Sequence, residues 1–140
     1  ALMDACDVSA MIDVSDGWRA DLGHLCRASH LGAAVELAPP RTRAMEEAAE
    51  FLGVPVDHWI FGPSDDYELL FTVPPSGWTR VEQLCASLAI PLTRLGTMIP
   101  GSPEITFAAP VDAAVQSADA QRRRGSGGWD HFGSERSRSR

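Results

Sequence analysis

At 140 residues with 44% hydrophobic side chains, the chain is long enough to bury one sizeable core and too apolar for whole-chain disorder. Its net charge of −7 is uneven: residues 1–118 carry six arginines against sixteen acids, and residues 119–140 carry six against three. An acidic body of this kind excludes a duplex-binding surface and suits a protein that loads cations before it meets phosphates.

No apolar run is long enough to span a membrane, and no basic segment followed by an apolar one opens the chain, so a cytoplasmic protein is expected. The three cysteines, Cys6, Cys26 and Cys85, are odd in number and mostly set in apolar stripes. They read as reduced core thiols rather than a disulfide framework or a zinc site, and the four histidines show no ligand spacing. The start at Ala1, without Met, suggests a fragment of something longer.

In chain order, Ala1 to Val8 reads as the end of a helix feeding a first strand at Met11, Ile12 and Val14, which Asp16-Gly17 breaks. A first helix follows over Gly17 to His30, with Trp18, Leu22, Leu25, Cys26 and Ser29 on one stripe and Gly32 as its C-terminal break. Gly32 to Ala38 is the second strand, stopped by Pro39-Pro40. Thr42 caps a second helix with the stripe Met45, Ala48, Ala49 and Leu52, closed by Gly53 and Pro55.

Residues 56–64 read as irregular. The nearly continuous apolar run after Asp65-Asp66 reads as a central strand to Val73, covered on both faces. Ser76 then caps a third helix with Trp78, Val81, Leu84, Cys85 and Leu88 inward. Two more strands follow at Leu92 to Met98 and Ile105 to Ala108, joined by a Pro-Gly-Ser-Pro turn. The expected fold class is α+β, a mixed sheet carrying three helices. A body at 1–118 is followed by an Arg, Gly and Ser-rich tail at 119–140, expected to be mostly mobile.

The chemistry concentrates in Ser9 to Gly17, where Asp13, Ser15 and Asp16 crowd the carboxyl end of a strand beside a helix N-terminus. Hard cations want carboxylate oxygens and helix N-termini want anions, so a magnesium–phosphate complex suits this place. On local sequence alone Ser15 or Asp16 reads first as an ordinary N-cap, which is compatible with the other holding metal, whereas Asp13 is harder to explain by capping. Counting from Asp13 puts Gly17 fifth and His24 twelfth, which excludes an EF-hand loop. Neither GxxxxGK[ST] nor GxGxxG occurs, so phosphates would be held through metal ions and helix ends.

Three motifs in register, Ser-Ala-Met-Ile-Asp-Val-Ser-Asp-Gly at 9–17, Asp-Asp-Tyr-Glu-Leu-Leu-Phe-Thr-Val at 65–73 and Gly-Trp-Asp-His-Phe at 128–132, resemble the C-terminal half of the thiamine-monophosphate kinases. These enzymes belong to the aminoimidazole ribonucleotide synthetase superfamily. The resemblance implies transfer of the γ-phosphoryl of ATP to thiamine monophosphate, with Mg2+ on Asp13 and Asp16, nucleotide contact through Ser15, and thiamine-side contacts from Asp65 and Trp129. It also implies an N-terminal half supplying most magnesium ligands, much of the ATP site and a homodimer interface. These residues alone are therefore expected to lack kinase activity and to expose apolar surface where that half docks.

Two departures from the family pattern stand out: Pro63-Ser64-Asp65 stands for Gly-Gly-Glu, and Trp18 for Leu. The competing readings are a superfamily member with another acceptor and a non-catalytic, partner-binding remnant. Tyr67, Glu68 and His131 read as structural, and Asp66 as a metal-water ligand or a turn cap. Neither nucleic acid nor membrane is an expected partner.

Overall fold

The computed structural model describes residues 7–63 and 67–124. Its elements are β1 (Ala10–Asp13), α1 (Trp18–Ser29), β2 (Leu31–Val35), α2 (Arg43–Leu52), α3 (Val56–Phe61), β3 (Leu69–Thr72), a 3-10 turn (Pro75–Gly77), α4 (Trp78–Ser87), β4 (Gly96–Pro100), β5 (Ile105–Phe107) and α5 (Ala109–Arg124). The α+β class with a mixed sheet holds. Central β2 pairs antiparallel with β4 and parallel with β5. Gly96 is required at the β4 entrance, because a Cβ there would overlap the Ala34 carbonyl of β2.

The strands do not all join one sheet. Among the described residues β1 and β3 form a separate antiparallel ribbon, with Met11 opposite Phe71 and Asp13 opposite Leu69. β3 therefore has one ladder neighbour, not two. Its apolar run has another cause: Leu70 packs against the main core, while Phe71 packs on the other side against a smaller core around Val81 and Cys85 of α4. Alternate residues of a strand point to opposite faces, so two cores demand an unbroken apolar sequence.

The main core gathers Val14, Trp18, Leu22, Cys26, Ala33, Val35, Ile60, Phe61, Val111, Val115 and Ala118. Fully burying a side chain of the larger kind contributes roughly 1.5–3 kcal/mol, so α1, with Trp18, Leu22 and Leu25, is the principal anchor. Trp18 fits as the first residue of α1 because its indole Nε1 donates to the Ile60 carbonyl at 2.7 Å and its ring lies 5.9 Å from Phe61 and 6.4 Å from Phe107. Burial pushes the Cys26 thiol up, with Arg27 opposing, which agrees with an inert core thiol.

Three local expectations are corrected. Residues 56–61 are helical, since Pro55 opens α3 and His58 N–H bonds back to the Pro55 carbonyl at 2.9 Å. α1 ends at His30 in the left-handed region (φ 53°), and Gly32 lies inside β2, where a Cβ would crowd the Ser102 carbonyl. Ser76 sits in the 3-10 turn and caps nothing; Gly77 precedes α4. The segment at 100–103 does join β4 to β5, and the two strands flank β2 rather than pair with each other.

Thr42 does cap α2, its hydroxyl accepting from Met45 N–H at 3.2 Å, and Gly53 ends that helix at φ 65°. The α2 stripe, however, buries only Ala49 fully. α5 runs from 109 to 124 without a break at 118. Of the helix end expected over Ala1 to Val8, residues 1–6 lie outside the described residues and Asp7 and Val8 are not helical; the aromatic cluster at 128–132 also lies outside.

Candidate functional site

The first motif becomes a loop bolted at both ends. On the strand side, Ser9 N–H bonds Thr72 O at 2.8 Å and Val14 N–H bonds Glu68 O at 3.0 Å, while the Val14 side chain plugs into the core. On the helix side, Gly17 takes φ 97°, ψ 139°, and its carbonyl accepts from Ala20 and Asp21 N–H at 2.9 and 3.1 Å. Only glycine suits this point, since a Cβ would overlap the Gly62 carbonyl. Between the bolts, Ser15 and Asp16 are exposed, as is Asp13 at the end of β1.

Neither Ser15 nor Asp16 caps α1. The cap position is Gly17, with no side-chain bond, and the capping reading is corrected by a residue that the sequence analysis passed over. Asp21, in the first turn of α1, is 2% exposed, and its Oδ2 accepts from Ser15 N–H and Asp16 N–H, both at 3.1 Å. The Ser15 and Asp16 amides, which precede the helix, are thus satisfied from the helix side. Among the described residues no hydrogen bond or ion pair engages the side chains of Asp13, Ser15 or Asp16. The signal was present in the sequence: Trp18, Asp21, Leu22 and Leu25 follow the i, i+3, i+4, i+7 spacing of a buried face, with an acid in the stripe.

Asp16, Asp21 and His24 bring ligand-type atoms within 4.8 Å of one another. Chemistry argues against a metal held by all three. Arg27 donates to His24 Nδ1 at 3.0 Å, which leaves the proton of a neutral ring on Nε2 and no free lone pair for a metal. His24 is a hydrogen-bond donor in this arrangement. Asp13, Ser15 and Asp16 each present exposed oxygen atoms, the donor type that hard cations take.

Asp16 stands at the rim of a cavity of about 570 Å³ lined by Arg19, His24 and Arg27 of α1, by Phe61 to Pro63, and by Ile105 and Phe107. Arg19 grips Asp119 of α5 through two bonds of 3.0 and 3.2 Å and lies 5.7 Å above the Phe107 ring, so it closes one wall. Asp13 and Ser15 do not line this cavity. Asp65, Asp66 and Trp129 lie outside the described residues. The chain on both sides of Asp65 is nevertheless tied to the first motif, through Gly62-Pro63 against Gly17 and through Glu68 against Val14.

No family model matches the sequence. Among curated proteins, the thiamine-monophosphate kinase of Salmonella typhimurium is 37% identical over 91 residues, covering 64% of this chain and 27% of the relative. That of Rhodopirellula baltica is 37% identical over 101 residues, covering 70% and 31%. The crystal structure of thiamine-monophosphate kinase from Stenotrophomonas maltophilia superposes with a TM-score of 0.62 at 33% identity, over 71% of this chain and 31% of that one. The chain therefore spans about 30% of the length of the relatives it matches. Over some 64% to 70% of its own length, it is homologous to the C-terminal part of the thiamine-monophosphate kinases.

Proposed function

We propose that this chain forms the substrate-side part of a magnesium-dependent thiamine-monophosphate kinase, which moves the γ-phosphoryl of ATP onto thiamine monophosphate to give thiamine diphosphate. The observation that carries the reading is the set of three unengaged oxygen-bearing side chains, Asp13, Ser15 and Asp16, on a pinned loop in a chain homologous to these kinases. In this reading Asp13 and Asp16 hold Mg2+, which, when bound, neutralises phosphate charge. Phosphoryl transfer asks little covalent chemistry of the protein, so positioning and charge compensation supply most of the catalysis.

Ser15 contacts the nucleotide, and Asp65 and Trp129 face the thiamine. The remaining metal ligands, much of the ATP site and the homodimer contact come from an N-terminal half, so the 140 residues alone do not turn over. The exposure of Phe51, Trp59, Tyr67 and Leu69 fits a surface meant to be covered. The body, at residues 1–118, acts in the cytoplasm, and the tail at 119–140 carries the Gly-Trp-Asp-His-Phe motif. Among the described residues no helix is long and apolar enough to cross a membrane.

The test is calorimetric titration of Mg2+ with a non-hydrolysable ATP analogue into the chain and into Asp16→Asn. Saturable binding weakened at least tenfold in the variant is expected. Equal binding by both, or turnover of thiamine monophosphate by the chain alone, would contradict the corresponding part of the reading.

A further inference from the structure

We infer that Asp21 is a positioning residue for the Ser15–Asp16 loop, holding its backbone so that the Asp16 carboxylate and Ser15 hydroxyl stay turned outward toward metal and phosphate. The inference rests on the metal reading proposed above. Its basis is geometric. Between the strand bolt at Val14 and the helix bolt at Gly17, residues 15 and 16 have no other hydrogen bond among the described residues than the two to Asp21 Oδ2, each 3.1 Å.

Without them the loop would keep only its ends, and Gly17 is a residue whose backbone is free to turn. Asp21 is also the one charged side chain in the core among the described residues. A carboxylate taken out of water is costly unless its hydrogen bonds are made, and here backbone amides beside a helix N-terminus make them. An apolar residue at this point of the α1 stripe would pack without that cost. The acid is explained by what it holds rather than by what it buries.

Ionised acceptors bind amides about twice as strongly as neutral ones, so Asp21→Asn, of the same size, should loosen the loop while sparing the core. Two readouts separate positioning from packing: amide hydrogen exchange, and paramagnetic broadening by Mn2+ alone. In the unmodified chain the Ser15 and Asp16 amides, although on exposed residues, should exchange at least tenfold more slowly than free amides. In Asp21→Asn that protection should fall about tenfold, with Ala33 in β2 unchanged, and the Mn2+ dissociation constant should rise about tenfold.

Unprotected Ser15 and Asp16 amides in the unmodified chain would overturn the inference even if the variant fails to fold. Unchanged exchange and unchanged Mn2+ affinity in a folded Asp21→Asn would overturn it as well. Should the unmodified chain bind no Mn2+, or Asp16→Asn bind it equally, the metal reading falls, and protection of the two amides decides the role of Asp21 by itself.

Discussion

Helices α1 and α2 look alike in the sequence, each amphipathic with a clear apolar stripe, yet they end in opposite situations. α1 buries Trp18, Leu22, Leu25 and Cys26 against β2, β5 and the segment around Phe61. α2 buries only Ala49, half-buries Met45, and leaves Phe51 88% and Leu52 54% exposed. The periodicity of a helix states that a face exists and says nothing of what covers it. α1 lies where two sheets, α3 and α5 converge, and it is the element that carries the candidate site.

The sharpest break of this comparison is Trp18→Ala, which should cost about 3–5 kcal/mol in denaturant unfolding, because it removes a large core ring and leaves the Ile60 carbonyl unpaired. A loss of less than 1 kcal/mol would mean that α1 is not the anchor described here. On the other helix, Thr42→Ala should cost about 1 kcal/mol, the worth of an N-cap, seen as reduced helicity and a lower midpoint. The smallest effect is expected of Phe51→Ser, within about 0.5 kcal/mol, since a side chain this exposed loses no packing. A large destabilisation there would show that the face is covered in solution, by a second copy or by another part of the protein, and sedimentation of the same variant would show which.

Much of the site was legible because it is local. A strand former run, two carboxylates, a hydroxyl and Asp-Gly within nine residues can produce little else than a strand-to-helix turn with acids at its mouth. The same local logic found the Thr42 cap and the Gly53 stop. It failed where two signals compete for one role: Ser15 and Asp16 are good caps by type, but Gly17 takes the cap position, and the Ser15 and Asp16 amides are themselves held by Asp21. It failed again at residues 56–61, where Pro55 starts a helix too short to show a period.

By itself the sequence determined the α+β class, the approximate places of five strands and of three of the five helices, and the strand-to-helix turn that carries the acids of the first motif, all of which follow from spacing within a few residues. Only the tertiary structure decided that β1 and β3 stand apart from the β4-β2-β5 sheet, that β3 is apolar throughout because it separates two cores, and that Gly62 locks Gly17. Pairing partners and close backbone approaches join residues distant in the chain. Their energies depend on which surfaces meet, and no pattern confined to one segment carries that information.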